Sequence, residues 1–140
     1  MTTRLNPYLG FRTTARDAME FYKSVFGGEL TISTFGDYHA SEDPAEQNLV
    51  MHSQLETPAG LTLMGADTPA AMSYNPGDNI TVSLSGEDEA ELRGYWEKIS
   101  DGGEVSVPLE KAPWGDTFGM CKDKFGIGWL VNIAGEQPGQ

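Results

Sequence analysis

The chain has 140 residues, of which 39% are hydrophobic and 21% charged, a globular composition and the length of one domain that buries roughly two-thirds of its unfolded surface. Its formal charge of −12, from 21 acidic against 9 basic side chains, repels phosphate backbones and argues against nucleic acid as a partner. A lone cysteine, Cys121, with no basic-then-apolar leader and no long apolar run, argues against an internal disulfide and a membrane partner and predicts a cytoplasmic protein.

Leu5 to Phe11 reads as a first strand. Thr14-Ala15-Arg16-Asp17 then has the spacing of a capping box, and Ala18, Phe21, Tyr22 and Val25 follow at helical intervals. Gly27-Gly28 stops that helix. Leu30 to Phe35, Leu49 to Glu56 and Leu61 to Gly65 read as three strands, the last two joined by the turn Thr57-Pro58-Ala59-Gly60. Gly36 to Asn48 is a loop carrying Asp37, Glu42, Asp43 and Glu46, in which His39 reads as solvated. Asp67 to Asp78, rich in Pro, Ala, Gly and Asp, reads as a linker.

The pattern then repeats. Asn79 to Leu84 is a strand, Ser85-Gly86-Glu87-Asp88 offers a second cap, and Leu92, Tyr95, Trp96 and Ile99 form a second apolar stripe ended by Gly102-Gly103. Val105 to Val107, Thr117 to Lys122 and Ile127 to Ile133 complete three more strands, with Asp123-Lys124-Phe125-Gly126 as the turn. Each glycine pair is followed by a glutamate, Glu29 or Glu104. The order in both halves is strand, helix, three strands. This predicts an α+β fold: one domain over 1–140, with module one at about 4–66, a linker at 67–78 and module two at about 79–134. Pro108 to Asp116, holding Pro113 and Trp114, is a candidate lid.

Alternation places Asn6 and Tyr8, Thr62 and Met64, Asn79, Thr81 and Ser83, and Leu130 and Asn132 on the sheet faces turned away from the helices. On the third strand, Leu49, Met51 and Leu55 point to the helix side, leaving Val50, His52 and Gln54 on the open side. A neutral imidazole there can orient a ligand or act as a general base near pH 7, which makes His52 the best catalytic candidate. The competing and favoured role is a hydrogen-bonded histidine that only fills the wall. Tyr8 and Trp114 are candidate ligand contacts, whereas at least two of Phe118, Phe125 and Trp129 read as packing. Cys121 reads as a buried, inert thiol, and Asp67 and Asp123 as caps on backbone amides.

Several of these pieces in this order are familiar. Asn6-Pro7-Tyr8-Leu9-x-Phe11, the run Ala18 to Lys23 into Phe26-Gly27-Gly28-Glu29-Leu30, the His52 strand, Trp114-Gly115-x-x-Phe118-Gly119 and Asp123-Lys124-Phe125-Gly126-x-x-Trp129 together resemble the PhnB-like branch of the vicinal-oxygen-chelate superfamily. That superfamily contains glyoxalases, bleomycin-resistance proteins and extradiol dioxygenases, and the resemblance spans nearly the whole chain. It implies two βαβββ modules with a curled mixed sheet, helices outside, a cavity within and a homodimer. In metal-using relatives, two histidines and two glutamates on the first and last strands of the modules hold a divalent ion. Here Asn6, Met64, Thr81 and Leu130 stand at those positions, and the chain has two histidines in all. A catalytic divalent ion needs about three imidazole or carboxylate ligands, so no metal and no cofactor is assigned.

The expected function is therefore the binding of a small organic molecule in a metal-free cavity lined by Tyr8, His52, Gln54, Met64, Thr81, Trp114 and Asn132, with the reaction left open. The alternatives are a metal-dependent lyase, isomerase or dioxygenase, and a resistance protein whose acidic groove sequesters a cationic antibiotic. The methyltransferase label that proteins of this branch carry finds no support. Class I methyl transfer uses a glycine-rich turn between a strand and the following helix, and both glycine pairs here come after helices.

Overall fold

The computed structural model describes residues 3–135. The chain divides between Pro76 and Gly77 into two compact units. Module one holds β1 (Tyr8–Phe11), α1 (Ala15–Phe26), β2 (Glu29–Thr34), β3 (Val50–Glu56) and β4 (Thr62–Asp67). Module two holds β5 (Val82–Gly86), α2 (Glu89–Ser100), β6 (Glu104–Lys111), β7 (Thr117–Lys122) and β8 (Gly128–Ile133). Each module forms one four-stranded sheet, ordered β1-β4-β3-β2 and β5-β8-β7-β6. The first and last strands of each module pair in parallel and the others antiparallel. The fold is thus α+β with mixed sheets, and the repeat in the sequence is a repeat in topology.

Each helix covers one sheet face. α1 buries Ala15, Ala18, Met19, Tyr22, Val25 and Phe26, and the sheet of module one buries Leu9, Phe11, Leu55 and Leu63. Met19 and Phe26 extend the stripe read from the sequence, while Phe21 is only half-buried and stacks on Tyr22. α2 buries only Leu92 and Ile99, with Tyr95 and Trp96 half-buried. A fully buried aliphatic or aromatic side chain contributes roughly 1.5–3 kcal/mol, so α1 is held to its sheet more firmly than α2.

The glycine pairs do more than stop the helices. Gly27 (φ 74°) caps the end of α1, whereas α2 ends at an extended Asp101 and Gly102 (φ 77°) makes the turn after it. A Cβ on the second glycine would overlap a carbonyl oxygen of the neighbouring strand, Glu56 O for Gly28 and Lys122 O for Gly103. Those strands then pair immediately, Glu29 with Glu56 and Glu104 with Lys122.

The helix starts differ from the two capping boxes expected. Thr14 is the N-cap of α1 but its side chain caps nothing; the Ala15 N–H donates instead to Asp67 Oδ1 (2.9 Å), and the Val50 N–H donates to Asp67 Oδ2 (2.8 Å). A carboxylate at the end of β4 thereby ties α1 to β3. In module two Ser85 and Gly86 belong to β5, and Asp88 is the cap, accepting from the Glu91 N–H.

Three strands are also displaced from their expected bounds, and the first, β1, begins at Tyr8 and leaves Leu5 and Asn6 ahead of it. β5 begins at Val82 and leaves Asn79 and Thr81 ahead of it. β6 runs on to Lys111, so the proposed lid shrinks to a tight turn closed by Ala112 N–H to Asp116 O (2.7 Å) and Gly115 N–H to Ala112 O (3.0 Å). Pro108 sits inside β6, an outer strand whose register shifts on both sides of Val107. A proline is tolerated there because an edge strand has donors to spare and a bulge releases one. Among the described residues, no helix is long and apolar enough to cross a membrane.

Candidate functional site

On the sheet of module one, registry aligns Tyr8 with Met64, Met64 with Gln54 and Gln54 with Thr31, one row across all four strands. Strand alternation turns this row to the side opposite the helix-packing Leu9, Leu63 and Leu55. His52, one step along β3, belongs to the same side and pairs with Ser33. The hydroxyl of Tyr8 lies 3.1 Å from His52 Nδ1, with the two rings 5.7 Å apart and tilted by 30°. Tyr8 is 53% exposed, and partial burial raises its phenol above the ordinary value. The pair is therefore a neutral phenol against an imidazole, open to solvent.

Val50 does not join that face. A register shift between Ser33 and Thr34 pairs Thr34 with Val50 and leaves Met51 as the extra residue. The bulge turns Val50 into the core, where it is fully buried.

The row continues into a hollow. Glu56 and Thr62, paired with each other and two residues from Gln54 and Met64, line an open depression of 580 Å³ with Arg4, Leu5, Asn6, Thr57, Gly60 and Leu61. The amide of Gln54 donates to Glu56 Oε1 (2.9 Å). Together these residues offer a flat aromatic and thioether floor next to a polar, charged end. Arg4 and Glu56 went unnoticed in the sequence. Alternation from Gln54 points to Glu56, but no spacing signal marks Arg4.

In module two the expected residues are arranged separately. Asn132 on β8 pairs in register with Phe118 and donates to Asp116 Oδ2 (3.0 Å). Asp116 also accepts from the Gly135 N–H (2.9 Å), and these two donors hold its carboxyl below the usual range. Trp114 is 63% exposed and packs edge-on against Phe118, 5.6 Å between centroids. Thr81 is exposed, ahead of β5 and beside Gly128. Of Phe118, Phe125 and Trp129, at least two of which were expected to pack, only Trp129 is fully buried; Phe118 and Phe125 are half-buried. Phe118 faces the open side with Asn132, and Phe125 occupies a turn.

The donor set does not fit the divalent ion of the fold's metal-using members. Asn6 and Thr81 offer neutral oxygens, Met64 a soft thioether and Leu130 nothing, and these do not hold a hard divalent cation. Among the described residues, no three His, Cys, Asp or Glu side chains converge on a point, and no buried polar side-chain atom lacks a partner.

Two βαβββ modules, each a helix on a mixed four-stranded sheet, define a vicinal-oxygen-chelate protein. A glyoxylase/bleomycin resistance protein/dioxygenase domain from Frankia sp. EAN1pec shares the fold, at 15% identity and TM-score 0.62 over 97% of this chain and 99% of that one. The family model described as 3-demethylubiquinone-9 3-methyltransferase matches residues 3–132. The chain belongs to that family, the PhnB-like branch of the superfamily. Protein PA1353 from Pseudomonas aeruginosa is 31% identical, with TM-score 0.83 over 96% of this chain and all of that one. A PhnB protein from Bacillus cereus is 23% identical, with TM-score 0.72 over 94% of this chain and 100% of that one.

Proposed function

We propose that the chain binds a small organic molecule, without a metal ion, on the open sheet face of module one. The observation that carries this reading is the Tyr8–His52 pair beside Met64 and Gln54, which runs into the 580 Å³ hollow at Glu56 and Thr62. Small-molecule sites combine an apolar or aromatic surface with a few polar groups that fix orientation, and this face has both. The donor chemistry at Asn6, Met64, Thr81 and Leu130 supports metal independence.

The matched family's description names a methyltransferase, and the reading here differs. A class I methyltransferase holds its cofactor at a glycine-rich turn leading from a strand into a helix of a parallel sheet. Gly27-Gly28 and Gly102-Gly103 lead out of helices into strands. A homodimer accompanies this reading, and light scattering at micromolar concentration checks it; a monomer there removes it.

Metal analysis of protein purified without chelator, paired with fragment titrations followed by NMR, tests the proposal. The expected result is substoichiometric metal and saturable shifts confined to Tyr8, His52, Gln54 and Met64. One equivalent of zinc, nickel, iron or manganese, lost on replacing residues of either sheet, would sink it.

A further inference from the structure

The Tyr8–His52 hydrogen bond decides more than where a ligand sits. A neutral imidazole has one N–H and one bare nitrogen, and the partner of one nitrogen dictates the state of the other. The Tyr8 hydroxyl has no acceptor among the described residues other than His52 Nδ1 at 3.1 Å. If Nδ1 carried the proton it would donate to the phenol oxygen and leave the phenol O–H to solvent alone. With the phenol donating, Nδ1 is the acceptor and both groups are satisfied. A phenol keeps that O–H through neutral pH, and partial burial only raises Tyr8 further. His52 Nε2, which has no partner among the described residues, then carries the N–H on the face that Met64 and Gln54 share.

We infer that Tyr8 is a positioning residue that holds His52 as the Nε2–H tautomer, so that this face accepts ligands through an acceptor oxygen, as in a ketone, aldehyde or carboxylate. The inference rests on the reading of this face as the binding site. It does not rest on any reaction. A donor-only ligand, such as an ammonium group, would meet an N–H and be turned away from Nε2 by the lack of a lone pair.

Long-range proton–nitrogen correlation spectra of the 15N-labelled full chain at pH 8.5, where an ordinary imidazole is neutral, read the tautomer directly. The chain has two histidines, His39 and His52, and His52→Gln assigns the signals. Acetophenone, benzoate and benzylamine then serve as probes. The expected result is a bare Nδ1 and a protonated Nε2 in the natural chain, and a mixture of tautomers in Tyr8→Phe. Acetophenone should shift the His52 Nε2 signal saturably, benzoate likewise but more weakly at low salt because of the −12 charge, and benzylammonium not at all. Tyr8→Phe should weaken acetophenone binding about two- to tenfold, the loss of one neutral hydrogen bond's worth of pre-organisation. A protonated Nδ1 in the natural chain, or a tautomer unchanged by Tyr8→Phe, overturns the inference whatever the probes do, and leaves the binding face standing. If the tautomer is as stated but neither oxygen probe moves His52, the ligand class falls and the proposed binding face with it. Benzylammonium shifting Nε2 as strongly as acetophenone overturns the ligand class alone.

Discussion

Asp123 gathers the Phe125 N–H (2.8 Å), the Ile127 N–H (3.1 Å) and the indole N–H of buried Trp129 (2.8 Å) around one carboxylate that is 3% exposed. Removing it strands the buried indole N–H and two half-buried turn amides, and each orphaned group costs about 1 kcal/mol. Asp123→Ala is therefore expected to cost about 3 kcal/mol, seen as a lower urea midpoint with an unchanged slope, while Asp123→Asn keeps an acceptor and costs less. Next to it, burial and then the Asp123 charge push the Cys121 thiol up to about 11. The unfolded chain would ionise this thiol nearer its ordinary value of 9.0, so ionisation favours unfolding between those limits. Stability is expected to fall as pH rises from 9 towards 11 and to owe nothing to Cys121 below that. At pH 8 the folded protein should react with iodoacetamide far more slowly than the urea-unfolded chain. Both residues were legible in the sequence, Asp123 from its place beside a turn and Cys121 from the absence of a histidine or basic helix terminus beside it. The Tyr8–His52 bond was not, because strand alternation gives the face of a side chain and not which neighbour it reaches across an intervening strand.

At the scale of elements, the repeated Gly-Gly-Glu marks two junctions where a helix must give way to a strand without room for a side chain. Gly28→Ala combines a φ of 103° with overlap on the Glu56 carbonyl, and Gly103→Ala, without a positive φ, overlaps the Lys122 carbonyl. Each is expected to destabilise by at least about 2 kcal/mol, whereas Gly60→Ala, with open space around it, should cost about 1 kcal/mol for its positive φ alone. Thermal unfolding of the three variants checks the order. The sequence marked these glycines as helix stops through their position. It could not show the strand carbonyl lying behind them, since that depends on Glu56 and Lys122 arriving from later in the chain. The same non-locality hid the true anchor of α1: Thr14 has the chemistry and spacing to cap the Asp17 N–H but its side chain caps nothing, and it is Asp67 that takes the Ala15 N–H. Likewise Pro108 opened the segment read as a loop, and only its place on an outer, bulged strand lets β6 continue past it.

Across the whole molecule, topology was the most legible property, because two cycles of the same apolar pattern are hard to produce by chance and each cycle maps onto one sheet. Charge acts at this scale as well. A net −12 opposes compaction through self-repulsion that salt screens with a Debye length of about 10 Å at 0.1 M. Raising sodium chloride from about 0.01 M to 0.3 M is expected to raise the unfolding midpoint by a few degrees; an unchanged or lower midpoint would mean that the carboxylates are already offset locally. Glu89 is offset in this way by Arg93 (2.7 Å), whereas Arg12 donates to the carbonyls of Thr68, Pro69 and Met72 and lies over the Tyr74 ring, so the segment after β4 is fastened back onto module one. The two helix starts carry a last consequence for how the chain is made. Asp88 secures α2 three residues away, as soon as that stretch leaves the ribosome. Ala15 must wait for Asp67, 52 residues later in synthesis, so the first helix of the nascent protein emerges before its anchor exists. Its opening turn should become protected from solvent exchange only when β4 has cleared the tunnel.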